Sequence, residues 1–319
     1  MTAQPARLFR RTPNIAGALA GSTLSRAEMA IAESVLYASL FDYPLTLAQL
    51  RQSLIESTQT PSEILQAYDH SPALQHVIEY QDGFFFPIGR ASLIDERKRR
   101  EVRSRAFLRR HGVFLSLVCA IPYVKMVALS GSIAHLNLEG DGDLDLFIVT
   151  RGHRVWSTTV ATVLLAKLLR RRRIVCANFV LADSRLSLEQ QDLFTASQIV
   201  HLKPLIGRDV FQAFVAANPF VVRFYPNFHD AGSPPLPFRP MRRLAGIKRV
   251  AETLLALPWQ GLEWTCRTAY RSYLRRKSSS WISPEQVKLD DDCLKLHTHS
   301  HRQSVLERFE RIVDEAFGR

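Results

Sequence analysis

The chain has 319 residues, enough for a large buried core and, by length alone, about two domains. It carries 42 Lys and Arg against 30 Asp and Glu, and this excess of positive charge favours an anionic partner such as a nucleotide or nucleic acid. Four scattered cysteines indicate neither a zinc site nor a disulfide framework, and no apolar run reaches the roughly 20 residues of a membrane-spanning helix. We therefore predict a cytoplasmic protein with no membrane contact.

Residues 1–24 contain arginines but no apolar segment of the kind that a secretory signal needs, so we predict a disordered tail there. Three capping boxes follow, in which a Ser or Thr precedes a Glu or Gln by three positions. They are Ser25 with Glu28, Thr46 with Gln49, and Thr60 with Glu63. Each one predicts the start of a short helix.

A β-hairpin is predicted next, because Val77–Tyr80 and Phe84–Phe86 flank an Asp-Gly pair whose glycine supplies the positive φ of a tight turn. Three helices and a hairpin resemble a winged helix, which we predict over residues 25–92. Its third helix carries Glu63 and Asp69 but no Lys or Arg. This composition favours packing or protein contact over DNA reading, although a winged-helix DNA-binding regulator stays an alternative.

The segment from Leu93 to Leu117 is predicted to be one strongly basic helix. Its arginines and lysines are spread over most of its faces. This distribution is typical of a solvated linker helix, and a groove for nucleic acid or phosphate is the alternative interpretation.

Two predicted strands carry the residues with the clearest chemistry. Val124–Ser130 reads as a strand that runs into Gly131 and Ser132, where a glycine lets the backbone approach a phosphate and a hydroxyl can bind its oxygens. Asp143 and Asp145 open the second strand. Side chains two apart on a strand point the same way, so both carboxylates lie on one face and could hold one or two magnesium ions.

Other interpretations of the acidic segment are weaker. An EF-hand fails because Leu146 stands where the loop requires glycine and Gly152 where it requires glutamate. A chance acidic turn before an ordinary strand is the remaining alternative, but two acids in so apolar a strand would be costly without a purpose.

Gly131, Ser132, Asp143, Leu144 and Asp145 stand at a spacing that resembles the signature of the DNA polymerase beta nucleotidyltransferase superfamily. The resemblance covers about 124–181, and the Ser-Leu-Phe-Asp-Tyr-Pro-Leu-Thr segment at 39–46 looks like an uncharacterised bacterial subgroup. It implies that Asp143 and Asp145 coordinate Mg²⁺ while Gly131 and Ser132 cradle a nucleoside triphosphate. A nucleoside monophosphate would then pass to an unknown acceptor with release of pyrophosphate.

The superfamily takes its third acid from the adjacent strand, predicted here over Ile174–Leu181, which offers Asn178 instead. An amide oxygen can ligate a metal but cannot act as a general base. Asp183, just beyond the strand, and Asp141 are the other candidates for the third position. An active transferase and a catalytically inactive nucleotide-binding protein therefore both stay open.

The rest of the chain is predicted to be mainly helical. Helices are expected over Trp156–Leu169, Leu186–Val200, Val210–Ala216, Leu244–Leu257 and Leu262–Leu274, with a short strand or loop opened by Asn218-Pro219. The first of them ends in Arg170–Arg173, which suits the negative end of a helix dipole or contact with phosphate or nucleic acid.

Two further groups of polar residues stand in the last third. His297, His299 and His301 alternate, but a helix start predicted after Leu296 would make their side chains diverge, so surface histidines are favoured over a metal site. A basic face beside Tyr270 and Tyr273 could bind nucleic acid or be merely solvated; it consists of Arg267, Arg271, Arg275, Arg276 and Lys277.

The predicted fold class is α/β or α+β. A small mixed nucleotidyltransferase sheet is expected within residues 93–230, after the winged-helix-like module and before a helical region over 231–319.

Overall fold

A computed structural model describes residues 24–140, 142–228, 236, 238–256, 259–296 and 301–318, without the side chain of Asn178. The chain divides into two compact units. The first comprises the described residues up to Arg97, Tyr225–Asn227 and the chain from Ser304 onward, and the second comprises Lys98–Phe224 and Phe228–Gln303. Helices and strands occur in both, which confirms the mixed α and β class. Within the described residues, no helix is both long and apolar enough to cross a bilayer.

The elements follow one another in chain order. The helices are α1 (Arg26–Ser39), α2 (Leu47–Gln52), α3 (Pro61–His70), α4 (Pro72–Gln75), α5 (Ser92–Cys119), α6 (Gly131–Ala134), α7 (Val155–Leu168), α8 (Leu193–Val200), α9 (Arg208–Ala216), α10 (Phe220–Phe224), α11 (Arg242–Leu254), α12 (Trp259–Arg276) and α13 (Arg302–Phe317). The strands are β1 (Leu45–Thr46), β2 (Ile78–Gln81), β3 (Phe84–Pro87), β4 (Val124–Ser130), β5 (Leu144–Thr150), β6 (Val175–Ala182), β7 (Lys203–Ile206), β8 (Val287–Leu289) and β9 (Cys293–Leu296).

The first three helices start where the sequence predicts them. Ser25, Thr46 and Thr60 each accept the backbone N–H three residues on, and the Glu or Gln at that position accepts the N–H of the cap residue. These reciprocal bonds satisfy N–H groups that the first turn of a helix leaves unpaired. The capping boxes are therefore confirmed, and they fix three helix starts through local contacts alone.

A three-stranded antiparallel sheet completes the fold of the first unit. Its order is β1-β3-β2, and the turn between β2 and β3 has positive φ at Asp82 (52°) and Gly83 (82°). Two successive residues of positive φ give the turn that matches the twist of paired strands, so the predicted hairpin is confirmed. Phe85 of β3 is fully buried in a core that also contains Ile31, Ile64 and, from α13, Ala316.

The second unit is built on a six-stranded sheet of order β7-β4-β5-β6-β9-β8. β5 and β6 run parallel and are joined through α7, whereas the other neighbouring strands are antiparallel. Parallel neighbours begin at the same edge of a sheet, while an antiparallel neighbour ends there. The end of β4 and the starts of β5 and β6 therefore meet at one edge.

The two faces of β5 pack against different helices. Leu146 and Ile148 belong to a core that includes the buried Trp156 of α7. Phe147, between them, stacks on Phe179 of β6 at 5.1 Å and contacts Phe214 of α9 at 5.0 Å between ring centroids. Alternate residues of a strand share a face, so Asp145 lies on the face of Phe147.

Helix α12 caps α7. Oε1 of Glu263 accepts the N–H of Trp156 at 2.9 Å, and its Oε2 accepts the N–H of Ser157 at 2.9 Å and the hydroxyl of Ser157. Arg154, at the N-cap position, makes no side-chain cap bond of its own. A carboxylate from another element therefore satisfies the first N–H groups of α7 and offsets the positive end of its dipole.

Several secondary-structure predictions are wrong. The helix expected from Leu186 starts only at Leu193, where Asp192 accepts the N–H of Thr195 at 2.8 Å. Asn218-Pro219 leads into helix α10 instead of a strand or loop. The helix start expected after Leu296 lies outside the described residues, which end at strand β9 (Cys293–Leu296) and resume just before α13, at His301.

Candidate active site

Three potential metal ligands converge at the edge where β5 and β6 begin. Asp143 directly precedes β5, Asp145 is the second residue of that strand, and Asp145 pairs in register with Cys176 of β6. One carboxylate oxygen of each aspartate and the sulfur of Cys176 all lie within 4.8 Å of one another, and the three residues are half-buried. The predicted convergence of the two aspartates is therefore present, with a thiol beside them that sequence reasoning missed.

Gly131 brings the backbone against this group. Ser130 pairs in register with Asp145, and Gly131 follows at the end of β4 with a φ of +65°. A Cβ atom on Gly131 would lie 2.5 Å from Oδ2 of Asp145, so that the carboxylate or the backbone would have to shift. Glycine is thus required twice, by its left-handed backbone and by the carboxylate. Ser132 follows with an exposed side chain.

The loop that leads to the aspartates is held by α5. Ser104 accepts the N–H of Leu138 at 3.0 Å, and Arg103 donates to the carbonyl of Leu138 at 3.0 Å. Arg100 forms an ion pair with Glu139 at 2.8 Å. These residues of the basic helix therefore position the approach to β5, a role that neither interpretation of that helix anticipated.

The tight packing of Leu138 explains a second glycine. A Cβ atom on Gly142 would lie 2.7 Å from Cδ2 of Leu138, and the φ of Gly142 is +58°. The backbone just before Asp143 is therefore defined by both a left-handed conformation and a close apolar contact. A run of two alternating glycines before two acids was the sequence signal for this turn.

Burial sets the electrostatics of the cluster. It raises the pKa of Asp143, and a backbone hydrogen bond offsets part of this rise. It also raises the pKa of Cys176 to about 11, with Asp145 and Asp143 adding to the effect and Arg172 opposing it. The thiol is therefore neutral at pH 7, and two negative charges remain the main attraction for a cation.

The residues predicted for the third position are separated by the fold. Asn178 lies in β6, two residues beyond Cys176. Asp183 follows the opposite end of that strand, where it accepts the N–H of Gly152 at 2.7 Å and pairs with Lys125 at 3.0 Å. The structure therefore does not bring Asp183 to the other aspartates. Asp141 lies outside the described residues.

The arginine run after α7, the alternating histidines and the basic face were the other predicted candidates for binding. Arg172, from the arginine run after α7, donates to the carbonyl of Val175 at 3.2 Å, directly before Cys176. His297 and His299 lie outside the described residues, and His301 is exposed. Arg267 of the basic face on α12 pairs with Asp291 at 2.5 Å.

Comparison with protein families, with curated proteins and with solved structures found no significant match to this chain.

Proposed function

We propose that the second unit is a magnesium-dependent nucleotidyltransferase of the DNA polymerase beta type. It would transfer a nucleoside monophosphate from a nucleoside triphosphate to an acceptor and release pyrophosphate. The proposal is carried by one observation, the convergence of Asp143 and Asp145 at a strand start against the left-handed Gly131. A carboxylate pair next to a side-chain-free backbone offers room for a cation and a phosphate chain together.

The carboxylates of the site suit magnesium better than its thiol does. Mg²⁺ prefers oxygen ligands and is usually bound through one or two carboxylates, with substrate phosphates and water completing its shell. Asp143 and Asp145 fit this pattern, whereas the neutral thiol of Cys176 is a poor ligand for so hard an ion. The two aspartates would hold the ion, which would neutralise charge on the triphosphate when bound.

The chain's own residues take the other roles. Gly131 allows the backbone to approach the triphosphate, and the exposed hydroxyl of Ser132 can donate to a phosphate oxygen. Arg100, Arg103 and Ser104 fix the loop before Asp143 and so orient both carboxylates.

A nucleotide-binding protein without catalysis is the second candidate. It is favoured by Cys176, which stands in register beside Asp145 where a third carboxylate would serve as general base. A protonated thiol cannot accept the proton of an attacking hydroxyl. Asn178 would keep only the ligand role, as an amide does.

We further propose that the first unit is a winged-helix-like module. The order of α1, β1, α2, α3, β2 and β3, with the hairpin as a wing, supports this assignment, although the four-residue helix α4 stands between α3 and β2. α3 carries Glu63 and no Lys or Arg, which supports packing or protein contact as its role. A DNA-binding regulator would show salt-dependent duplex binding that survives Asp143→Ala, and absence of any duplex binding at low salt excludes it.

The test is transfer of an α-phosphate label from each nucleoside triphosphate, with magnesium and a cell extract as the source of acceptor. We expect transfer by the wild type and a loss of at least about 100-fold in an Asp143→Asn, Asp145→Asn double variant, because metal-held charge supplies several kcal/mol. The matched control is Asp69→Asn, Asp82→Asn, which removes two exposed acids from the first unit. Equal transfer by the double variant and the wild type would sink the proposal.

The second candidate is separated by calorimetry. Triphosphate binding by the wild type without any label transfer would identify a nucleotide-binding protein without catalysis. In that case Cys176→Asp supplies a carboxylate in register with Asp145, and a gain of transfer activity would show that only the third acid is missing.

A further inference from the structure

Three cationic side chains act on the phenol of Tyr273 on α12, and one of them lies against its ring. Nζ of Lys277 lies 4.9 Å from the centroid of the Tyr273 ring. A hydrogen bond from Lys277 lowers the pKa of Tyr273, and the charges of Lys277, Lys167 and Arg172 lower it further. Lys167 belongs to α7 and Arg172 to the segment that follows it, so the cluster draws on separate parts of the second unit.

These cations lack the acidic partners that other basic residues have. Among the described residues, no Asp or Glu forms an ion pair with Lys167, Arg172 or Lys277. On α12, by contrast, Arg267 pairs with Asp291 at 2.5 Å. Like charges that are not held in ion pairs raise the local positive potential and attract an anion. Within the described residues, Arg267 on α12 is thus paired with an acid, whereas Lys277, directly after the end of that helix, is not.

Arg172 links this cluster to the acidic site. Its guanidinium donates to the carbonyl of Val175 at 3.2 Å, beside Cys176. Burial and the aspartates raise the pKa of Cys176, and the charge of Arg172 opposes this rise. The same charge opposes the rise in the pKa of Tyr270 that burial causes. Arg172 therefore lies at the edge where β6 begins, beside the acidic site.

The tyrosine rings beside these cations indicate which kind of polyanion would bind. The rings of Tyr270 and Tyr273 lie nearly parallel, with an interplanar angle of 17° and 5.8 Å between centroids. Tyr273 is 47% exposed, although its surroundings are charged. Single-stranded nucleic acid is bound by this combination, in which cations contact the phosphates and an exposed ring stacks with a base.

We propose that Lys167, Arg172, Tyr273 and Lys277 form a binding surface for a single-stranded nucleic acid beside the acidic site. That this nucleic acid is the acceptor of the transfer reaction rests on the proposed function. The binding surface itself does not, because binding can be measured without triphosphate or metal.

The experiment uses the full chain, a chelator and a dye-labelled single-stranded 15-mer, with binding followed by fluorescence anisotropy. The test variant is Lys167→Gln, Arg172→Gln, Lys277→Gln. The matched control, Arg242→Gln, Arg243→Gln, Arg249→Gln, removes the same charge from α11, which contacts Tyr123 at the other end of β4 through Glu252. Both variants have a net charge lower by three, so a difference between them reports position alone.

We expect the test variant to lose at least about tenfold in affinity and its log-log salt slope to fall by roughly 2, since each phosphate contact on a single strand contributes about 0.7. The control should change affinity by less than threefold. Tyr273→Leu, which removes the aromatic ring, should lower affinity about threefold or more with an unchanged salt slope.

Three results would overturn the proposal. The first is equal binding by the wild type and the test variant, and the second is an equal loss in the test and control variants. The third is complete displacement of the 15-mer by saturating triphosphate, which would assign the cations to the nucleotide. Oligonucleotide binding that persists while label transfer fails would support the surface and contradict only the proposed reaction.

Discussion

At the two ends of the β5 and β6 pair, the pKa of an aspartate is shifted in opposite directions. The near end is the edge where both strands begin, beside Asp143, and the far end is the opposite edge, beside Asp183. At the far end, burial would raise the pKa of Asp183, but the N–H of Gly152 and the charge of Lys125 outweigh it, and the pKa is lowered. At the near end, burial raises the pKa of Asp143 and its backbone hydrogen bond offsets only part of the rise. An acid satisfied by the protein serves structure, whereas an acid left costly in the folded state is available for a ligand.

The largest change in the free energy of unfolding is expected for Gly131, whose backbone lies against Asp145 at the near end. Gly131→Ala should destabilise the protein by about 2–3 kcal/mol, because it adds left-handed strain to a clash with the carboxylate of Asp145. Gly140→Ala is the control, since Gly140 has a φ of +59° and no atom within 4 Å of an added Cβ. It should cost about 1 kcal/mol by chemical denaturation. Equal costs would show that contact with Asp145 is unimportant.

Substitutions of an aspartate by asparagine at the two ends are expected to change the free energy of unfolding in opposite directions. Asp183→Asn should destabilise the protein by about 1.5 kcal/mol, because it weakens charge-assisted hydrogen bonds to Lys125 and Gly152. Asp143→Asn should stabilise the metal-free protein by about 1 kcal/mol, as substitutions at strained functional sites do. Denaturation in the presence of a chelator measures both values. The comparison fails if both substitutions shift stability in the same direction.

The pH dependence sharpens the contrast at Asp183. A carboxyl whose folded pKa is depressed adds stability above its ordinary value of 3.8 and loses it as the pH falls through the lower folded pKa. The difference in unfolding free energy between the wild type and Asp183→Asn should therefore be constant near pH 6 and shrink below pH 3.8. A difference that grows on acidification would contradict this assignment.

A similarly small change in stability is expected for Glu263, another acid satisfied by protein donors. Glu263→Gln keeps the shape but removes the charge that faces the first N–H groups of α7. We expect a loss of about 1 kcal/mol, as for a helix N-cap, with label transfer unchanged. A thermal melt measures the loss. A change in transfer without a change in stability would contradict a purely structural role.

The last element of the chain shows a limit of prediction along the sequence. α13 belongs to the first unit from Ser304 onward, and Ala316 lies in the same buried core as Ile31 and Phe85. Nothing in the local pattern of α13 names that partner, because an amphipathic helix specifies an apolar face and not what covers it. The short strands β7, β8 and β9 were missed for a related reason, since a strand of three or four residues exists only through its neighbours.

The sequence by itself determined the local structures. Ser25, Thr46 and Thr60 cap their helices through bonds within four residues, and Asp82-Gly83 closes its hairpin through backbone conformation alone. The close spacing of Asp143 and Asp145 could likewise be predicted, because residues two positions apart cannot separate far along any chain.

Only the tertiary structure decided what surrounds those aspartates. The parallel register of β5 and β6 sets Cys176 beside Asp145 and carries Asp183 to the opposite edge, where Lys125 pairs with it. Register depends on how two distant segments align, and a shift of one residue would exchange the faces of a strand. The sequence therefore determines that Asp143 and Asp145 lie close together, while the pairing of strands determines which other side chains lie beside them.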